Sequence, residues 1–135
     1  AIINIASMAG KIATPKSTVY SATKFAVLGF SNALRLELKP LGISVMTVNP
    51  GPIRTEFFDK ADKTHNYLNS LGNIVLDPEE VAYKIVSKIG TSRREVNLPY
   101  YMEVAHRLYE VFPHMADYLT GGIFNKKWGK TLDWC

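Results

Sequence analysis

The sequence contains a single cysteine, Cys135, at its last position. With one thiol, an internal disulfide cannot form, and a zinc site built on cysteine ligands cannot be assembled. The three histidines, His65, His106 and His114, show no spacing typical of metal ligands, so no metal site is expected. Low cysteine content is typical of a reducing compartment, and it predicts a cytoplasmic protein.

Long hydrophobic runs and dense charge clusters are also missing. The apolar runs are only a few residues long, far below the roughly 18 that a membrane-spanning helix needs, so no membrane partner is predicted. The 16 Lys and Arg exceed the 12 Asp and Glu by a net charge of +4, but the basic residues are spread along the chain. A nucleic-acid surface needs a denser basic cluster. We therefore expect no nucleic-acid partner.

The residues that are present indicate one globular domain, with 47% hydrophobic and 21% charged residues in 135. Residues 1–6 form an apolar, β-branched run that is typical of a buried strand. A natural amino terminus seldom begins inside a buried strand. We therefore expect the sequence to be part of a longer protein whose earlier residues are missing.

Strand and helix patterns alternate along the chain. The composition predicts a long helix over residues 17–39, ended by Pro40, and a strand over residues 43–48, ended by a Pro-Gly turn. The apolar residues of that helix cover most of its circumference, so burial on two sides is expected. Strand, crossover helix and strand make a parallel βαβ unit.

The second half continues this alternation. Asp77 and the proline after it are typical of a helix start, which predicts a helix over residues 78–89 followed by a strand over residues 95–98. Residues 100–119 are amphipathic and are interrupted at Pro113, which predicts two short helices. Alternating strands and helices with parallel connections indicate an α/β fold.

Tyr20 and Lys24 stand four residues apart and share one face of the long predicted helix. By itself this spacing is weak evidence, because both residue types are common in the chain. The neighbouring motifs strengthen it, since Ser7 ends the first predicted strand and Pro50 and Gly51 follow the second. The carboxyl ends of parallel strands are where such sheets bind ligands, so the sequence predicts that these residues meet at one edge.

Three segments, in this order and spacing, resemble the classical short-chain dehydrogenase/reductase family. They read NIASMAG at residues 4–10, YSATKFA at residues 20–26 and VNPGPIRT at residues 48–55. The resemblance covers residues 1–98. It implies the carboxyl-terminal half of a Rossmann-type, doubly wound parallel sheet, with residues 99–135 as a helical extension and tail. The amino-terminal cofactor-binding half of the family's fold is absent from the sequence.

The resemblance also implies roles for individual residues. Tyr20 would be the general acid for carbonyl reduction and the base for alcohol oxidation, with the Lys24 cation favouring its phenolate. Ser7 would hold the substrate oxygen by a hydrogen bond. The positions that the resemblance places at the nicotinamide cofactor are Tyr20, Lys24, Pro50, Gly51, Ile53 and Thr55. Outside such a group, Ser7 and Thr55 would be ordinary capping residues and the Pro-Gly segment an ordinary turn.

The activity implied is hydride transfer between NAD or NADP and a small carbonyl compound or secondary alcohol. The sequence does not distinguish NAD from NADP, because the family's selecting residue belongs to the absent half. We expect this 135-residue chain to be inactive by itself. The alternative is a non-catalytic oligomerisation or interaction module that retains the family motifs. Because the family's equivalent helix commonly builds a dimer interface, the resemblance also implies a homo-oligomer. If the polypeptide began at Ala1, the first strand would also have an unpaired edge, so we expect residues 17–39, the edge of residues 1–6, or both, to be buried between chains.

Overall fold

A computed structural model describes residues 1–14, 17–56, 74–115 and 118. The chain divides into two compact units, Ala1–Glu103 and Val104–Cys135. The first unit contains the sheet and all the residues that the sequence analysis predicts at the site. In the second unit, the described part is the rest of a helix that begins at Tyr100, together with a helical segment over residues 113–115.

The sheet of the first unit has three parallel strands in the order β1-β2-β3: β1 (Ile2–Ile5), β2 (Val45–Pro50) and β3 (Glu95–Leu98). Every residue of the central strand β2 is buried, as expected for a strand covered on both faces. The prediction of a parallel α/β sheet is confirmed.

Two helices connect the strands, α1 (Thr18–Leu38) and α2 (Pro78–Val86), and a third, α3 (Tyr100–Val111), follows β3. The bounds of α1 agree with the prediction to one residue at each end. Helix α2 begins as predicted, because the Asp77 carboxylate accepts the backbone N–H groups of Glu79 and Glu80 at 2.9 and 3.1 Å.

Two predicted helix ends differ in detail. Helix α2 ends at Val86 instead of residue 89, because the backbone tightens there into bonds from Lys88 to Ile85 and from Ile89 to Val86. Helix α3 ends at Val111, just before the predicted interruption at Pro113, and residues 113–115 are helical again. The remainder of the predicted second helix, apart from residue 118, lies outside the described residues.

The two faces of the sheet differ in chemistry. One face carries the core residues Met46, Val48 and Val96, with Ile85 of α2 packed against them. The opposite face carries polar side chains, and there the Asn4 amide of β1 donates to the Ser31 hydroxyl of α1 at 2.9 Å. Helices α1 and α2 therefore contact opposite faces, which is the doubly wound arrangement.

Among the residues that the structure describes, one side of α1 is buried and the other is exposed. Ser21 and Ser31 are the buried residues of this helix, whereas the side chains of Phe25, Phe30 and Leu36 are 46%, 60% and 72% exposed. The expected burial on two sides is therefore met on the sheet side alone. We call the exposed apolar side the outer face of α1; it consists of Ala22, Phe25, Ala26, Gly29, Phe30, Ala33 and Leu36.

None of the helices in the described residues is long and apolar enough to cross a membrane. The same part of the chain also contains no group of three or more His, Cys, Asp or Glu residues placed to hold a metal ion.

Candidate active site at the carboxyl ends of the strands

Ser7 lies two residues after β1 and begins a short 3₁₀ turn, Met8–Gly10. Its hydroxyl oxygen accepts the backbone N–H of Ala9 at 3.1 Å and donates to the carbonyl oxygen of Pro50 at 3.3 Å. Ser7 is therefore a capping residue, as an isolated serine would be, and it also contacts the end of β2. We call residues 7–11 the serine loop.

The serine loop is docked closely on α1 through Gly10. A Cβ atom at this position would lie 2.7 Å from the carbonyl oxygen of Lys24 and 3.2 Å from Cδ1 of Leu28. Contacts this short with backbone atoms leave no room for a side chain. Gly10 thus allows the loop that carries Ser7 to touch the turn of α1 that carries Lys24.

Tyr20 and Lys24 form a pair near the amino-terminal end of α1. The Lys24 ammonium lies 5.7 Å from the centre of the Tyr20 ring and donates to the carbonyl oxygen of Ile5, the last residue of β1, at 3.4 Å. The Tyr20 side chain is 37% exposed, so a ligand has access to it. A phenol beside a cation at the end of a parallel strand is suited to proton transfer.

Pro50 and Gly51 form the second loop of the site, at the end of β2. The N–H of Gly51 donates to the carbonyl oxygen of Leu98 at 2.6 Å. A Cβ atom on Gly51 would lie 3.0 Å from the sulfur of Met102 and 3.2 Å from Cδ of Pro99. The start of α3 therefore lies directly against the Pro-Gly loop.

Ile53 and Thr55 lie further along this segment. Ile53 pairs with Leu76 in an isolated parallel bridge, flanked by the Arg54 N–H donating to the Leu76 carbonyl at 3.0 Å. The Thr55 hydroxyl is exposed and donates to the Ile53 carbonyl at 3.5 Å. Their role at the cofactor stays a prediction, and residues 57–73, which follow, lie outside the described residues.

A partly buried ion cluster adjoins both loops, with the Glu95 side chain 28% exposed. The Lys11 ammonium donates to the carboxylates of Glu95 at 2.5 Å and Glu103 at 2.8 Å, and the side chains of Lys11 and Glu103 are each 8% exposed. Burial alone would raise the pKa of Glu95, but the hydrogen bond and charge of Lys11 outweigh it and hold that pKa below its ordinary value of 4.5.

The sequence does not predict this cluster. Lys11 is separated by 84 residues from Glu95 and by 92 residues from Glu103, and no motif links the three. The only signal in the sequence is that Lys11 closely follows Ser7, while Glu95 begins a predicted strand. The strand order β1-β2-β3 separates β3 from β1 by the width of β2, so the order of the strands does not indicate that Lys11 meets Glu95.

Known proteins similar to this chain indicate its family, in addition to the motifs and the geometry of the site. The family model for short chain dehydrogenases matches residues 1–66. A dehydrogenase/reductase SDR family protein 7-like from Dictyostelium discoideum is 36% identical over 121 residues, which cover 88% of this chain and 37% of that protein.

Solved structures agree with this relationship. A short chain dehydrogenase from Burkholderia cenocepacia in complex with NADP superposes with a TM-score of 0.71 at 22% identity, covering 88% of this chain and 46% of that one. A variant of the actinorhodin polyketide ketoreductase with NADPH has a TM-score of 0.57 at 30% identity, covering 72% and 44%.

The chain spans about a quarter to about a third of the length of the first curated relatives that it matches and less than half of each solved chain above. The match nevertheless includes the serine loop, the Tyr20–Lys24 pair and the Pro-Gly loop, in the order found in the sequence. On the family model, the curated relatives and the shared fold together, this chain belongs to the short-chain dehydrogenase/reductase family.

Proposed function

We propose that the complete protein containing this chain is an NAD(P)-dependent oxidoreductase acting on a carbonyl compound or the corresponding secondary alcohol. The observation that carries the proposal is the Tyr20–Lys24 pair, with its ammonium 5.7 Å from the phenol ring, on a helix to which the Ser7 loop is docked. Three polar groups of the required chemistry thus belong to adjoining elements at the ends of β1 and β2.

Tyr20 is the proton donor and acceptor in this proposal. During reduction its hydroxyl gives a proton to the substrate oxygen as that oxygen becomes an alkoxide, and during oxidation the phenolate takes the proton back. The Lys24 ammonium stabilises the phenolate between these steps by charge. A half-exposed phenol suits this task, because the proton must also exchange with solvent.

Ser7 orients the substrate oxygen. Its hydroxyl now donates to the Pro50 carbonyl at 3.3 Å, which is long for an O–H donor, so this bond is readily exchanged for one to a substrate oxygen. The N–H of Ala9 holds the same oxygen atom from the other side at 3.1 Å, which fixes its position. Orientation of this kind lowers the entropy lost on reaching the transition state.

The donor set fits a nicotinamide nucleotide. Lys24 has an ammonium and Tyr20 a hydroxyl beside each other, and sugar hydroxyls accept hydrogen bonds from such groups. When bound, the nicotinamide supplies or accepts the hydride. Lys24, Tyr20 and the Pro50–Gly51 loop would hold its ribose and ring, with Ile53 and Thr55 beyond. The ketoreductase at 30% identity, which is a complex with NADPH, supports this choice of cofactor class.

The experiment uses the complete protein with NADH or NADPH and a panel of aldehydes and ketones. Consumption of the reduced nicotinamide, followed by its near-ultraviolet absorbance, is expected with at least one of the carbonyl compounds. If the protein neither binds NADH or NADPH in a fluorescence titration nor oxidises either with any carbonyl, the non-catalytic interaction module is the better interpretation.

We propose in addition that the complete protein is a homo-oligomer. The outer face of α1 exposes two phenylalanines and a leucine around small residues, a composition suited to close packing of a second helix.

A further inference from the structure

The first turn of α3, residues 100–103, lies against both loops of the candidate site. Its residue Glu103 accepts from the Lys11 ammonium at 2.8 Å, and the neighbouring Met102 packs its sulfur against Gly51. One helical turn therefore holds the serine loop through one side chain and the Pro-Gly loop through the next.

The attachment at Lys11 is close to Ser7 along the chain. Lys11 is the residue that ends the turn begun by Ser7, and its N–H donates to the Met8 carbonyl at 2.9 Å. A displacement of Lys11 is therefore passed to Ser7 across a single hydrogen-bonded turn. The bond between the Ser7 hydroxyl and the Pro50 carbonyl then joins this loop to the other one.

An ion cluster removed from water contributes little net free energy to the stability of the fold. Desolvation of the charges offsets much of their attraction, and well-packed apolar side chains of similar size are often as stable or more stable. Unlike apolar contacts, these ion pairs are directional. The Lys11 ammonium must lie within hydrogen-bond distance of two carboxylates, one from β3 and one from α3, at the same time.

We propose that Lys11 and Glu103 are positioning residues, which hold the serine loop against the Pro-Gly loop so that the Ser7 hydroxyl stays aligned for the reaction. This inference deepens the proposed oxidoreductase function and rests on it. Neither residue touches the reacting atoms; both act through the turn that carries Ser7. Met102 holds the second loop from the same helical turn.

The test compares three variants of the complete protein. Glu103→Gln removes one charge with almost no change of shape. The apolar pair, Lys11→Met with Glu103→Met, is made together with Glu95→Gln, so that all three charges of the cluster are removed and no carboxylate is left without its cation. Lys84→Met is the matched control, since Lys84 forms an exposed pair with Glu80 on α2. Thermal unfolding, the kcat for the carbonyl substrate and the affinity for the cofactor are measured for each.

The apolar pair is expected to unfold close to the wild-type temperature while its kcat falls about 10- to 100-fold, the scale of a misplaced substrate-orienting group. The kcat of Glu103→Gln is also expected to fall, by a smaller factor, with cofactor affinity within about twofold of the wild type. If Lys11 and Glu103 only stabilised the fold, a variant with wild-type stability would also have wild-type kcat. Wild-type kcat in the apolar pair would therefore overturn the proposal.

Amide hydrogen exchange of the peptide covering the serine loop tests the same idea without turnover. Exchange at residues 8–12 is expected to be about tenfold faster in Glu103→Gln than in the wild type, and unchanged in the Lys84→Met control. Unchanged exchange in Glu103→Gln would also overturn the proposal. If the wild-type protein reduces no carbonyl, the proposed function fails, and the exchange comparison still decides whether Glu103 holds the loop.

Discussion

In the proposed mechanism, proton transfer depends on one atom, the hydroxyl oxygen of Tyr20. Removing that oxygen leaves the aromatic ring, the helix and the neighbouring Lys24 ammonium in place. The effect of Tyr20→Phe is therefore specific to the chemistry in a way that larger substitutions are not.

In the complete protein, Tyr20→Phe is expected to lower kcat by at least about a hundredfold, the usual contribution of general acid–base catalysis. Cofactor affinity, measured by fluorescence titration, should change little because the ring remains. Tyr83→Phe is the matched control, since Tyr83 is 75% exposed on α2. Full activity of the Tyr20→Phe variant would remove this residue from the mechanism.

The Glu95 carboxylate makes folding sensitive to acid. Because its pKa is held below 4.5 in the folded protein by Lys11 against the opposing effect of burial, its stabilising contribution is complete above the ordinary carboxyl value. That contribution disappears as the pH falls through the lowered pKa. Between about pH 5 and pH 3, the unfolding free energy of the wild type should therefore fall more steeply than that of Glu95→Gln.

Urea unfolding at a series of pH values measures this difference. Glu80→Gln serves as the control, because the pair of Glu80 with Lys84 is exposed and exposed pairs contribute little to stability. If the unfolding free energies of wild type and Glu95→Gln changed in parallel with pH through this range, the ion cluster would not favour the charged carboxylate.

Between elements, Gly10 lets the serine loop approach the backbone of α1 too closely for any side chain at this position. Gly10→Ala places a methyl group 2.7 Å from the Lys24 carbonyl oxygen, so the serine loop or the helix must shift. Overpacking of this kind costs about 1–3 kcal/mol of unfolding free energy. Turnover should fall as well, because Ser7 and Lys24 are displaced relative to each other.

Denaturant unfolding and steady-state kinetics of the complete protein check both effects. Ala13→Ser, an exposed position in the segment that follows the serine loop, is expected to leave stability and kcat unchanged. A Gly10→Ala protein as stable and active as the wild type would mean that the loop has more freedom than its close contact suggests.

The elements themselves were largely predictable from the sequence. Apolar runs, the Asp77 cap and Pro40 mark strands and helices through local chemistry, so the order of elements and the parallel sheet followed. The exact end of α2 could not be predicted, because tight backbone turns at a helix end leave no distinct residue pattern. Contacts between distant elements, such as Lys11 with Glu103, were beyond prediction because they depend on side-chain packing across 92 residues.

At the scale of the whole molecule, the outer face of α1 is the surface that we propose to be buried between two copies of the protein. Leu36 is 72% exposed, whereas Leu34 on the same helix is half-buried. Substitutions at Leu36 and Phe30 therefore test an interface without disturbing the core. Burying such apolar side chains between two copies gains about 1.5–3 kcal/mol for each that is fully covered.

Light scattering of the complete protein at low micromolar concentration is expected to give at least a dimer. Phe30→Glu combined with Leu36→Glu should shift it to smaller species with unchanged circular dichroism, because two carboxylates cannot be buried without partners. Val86→Glu, at a 65% exposed site on α2, should leave the assembly unchanged. A folded wild-type monomer would contradict the interface, and an oligomer that survives the double substitution would place it on a surface other than α1.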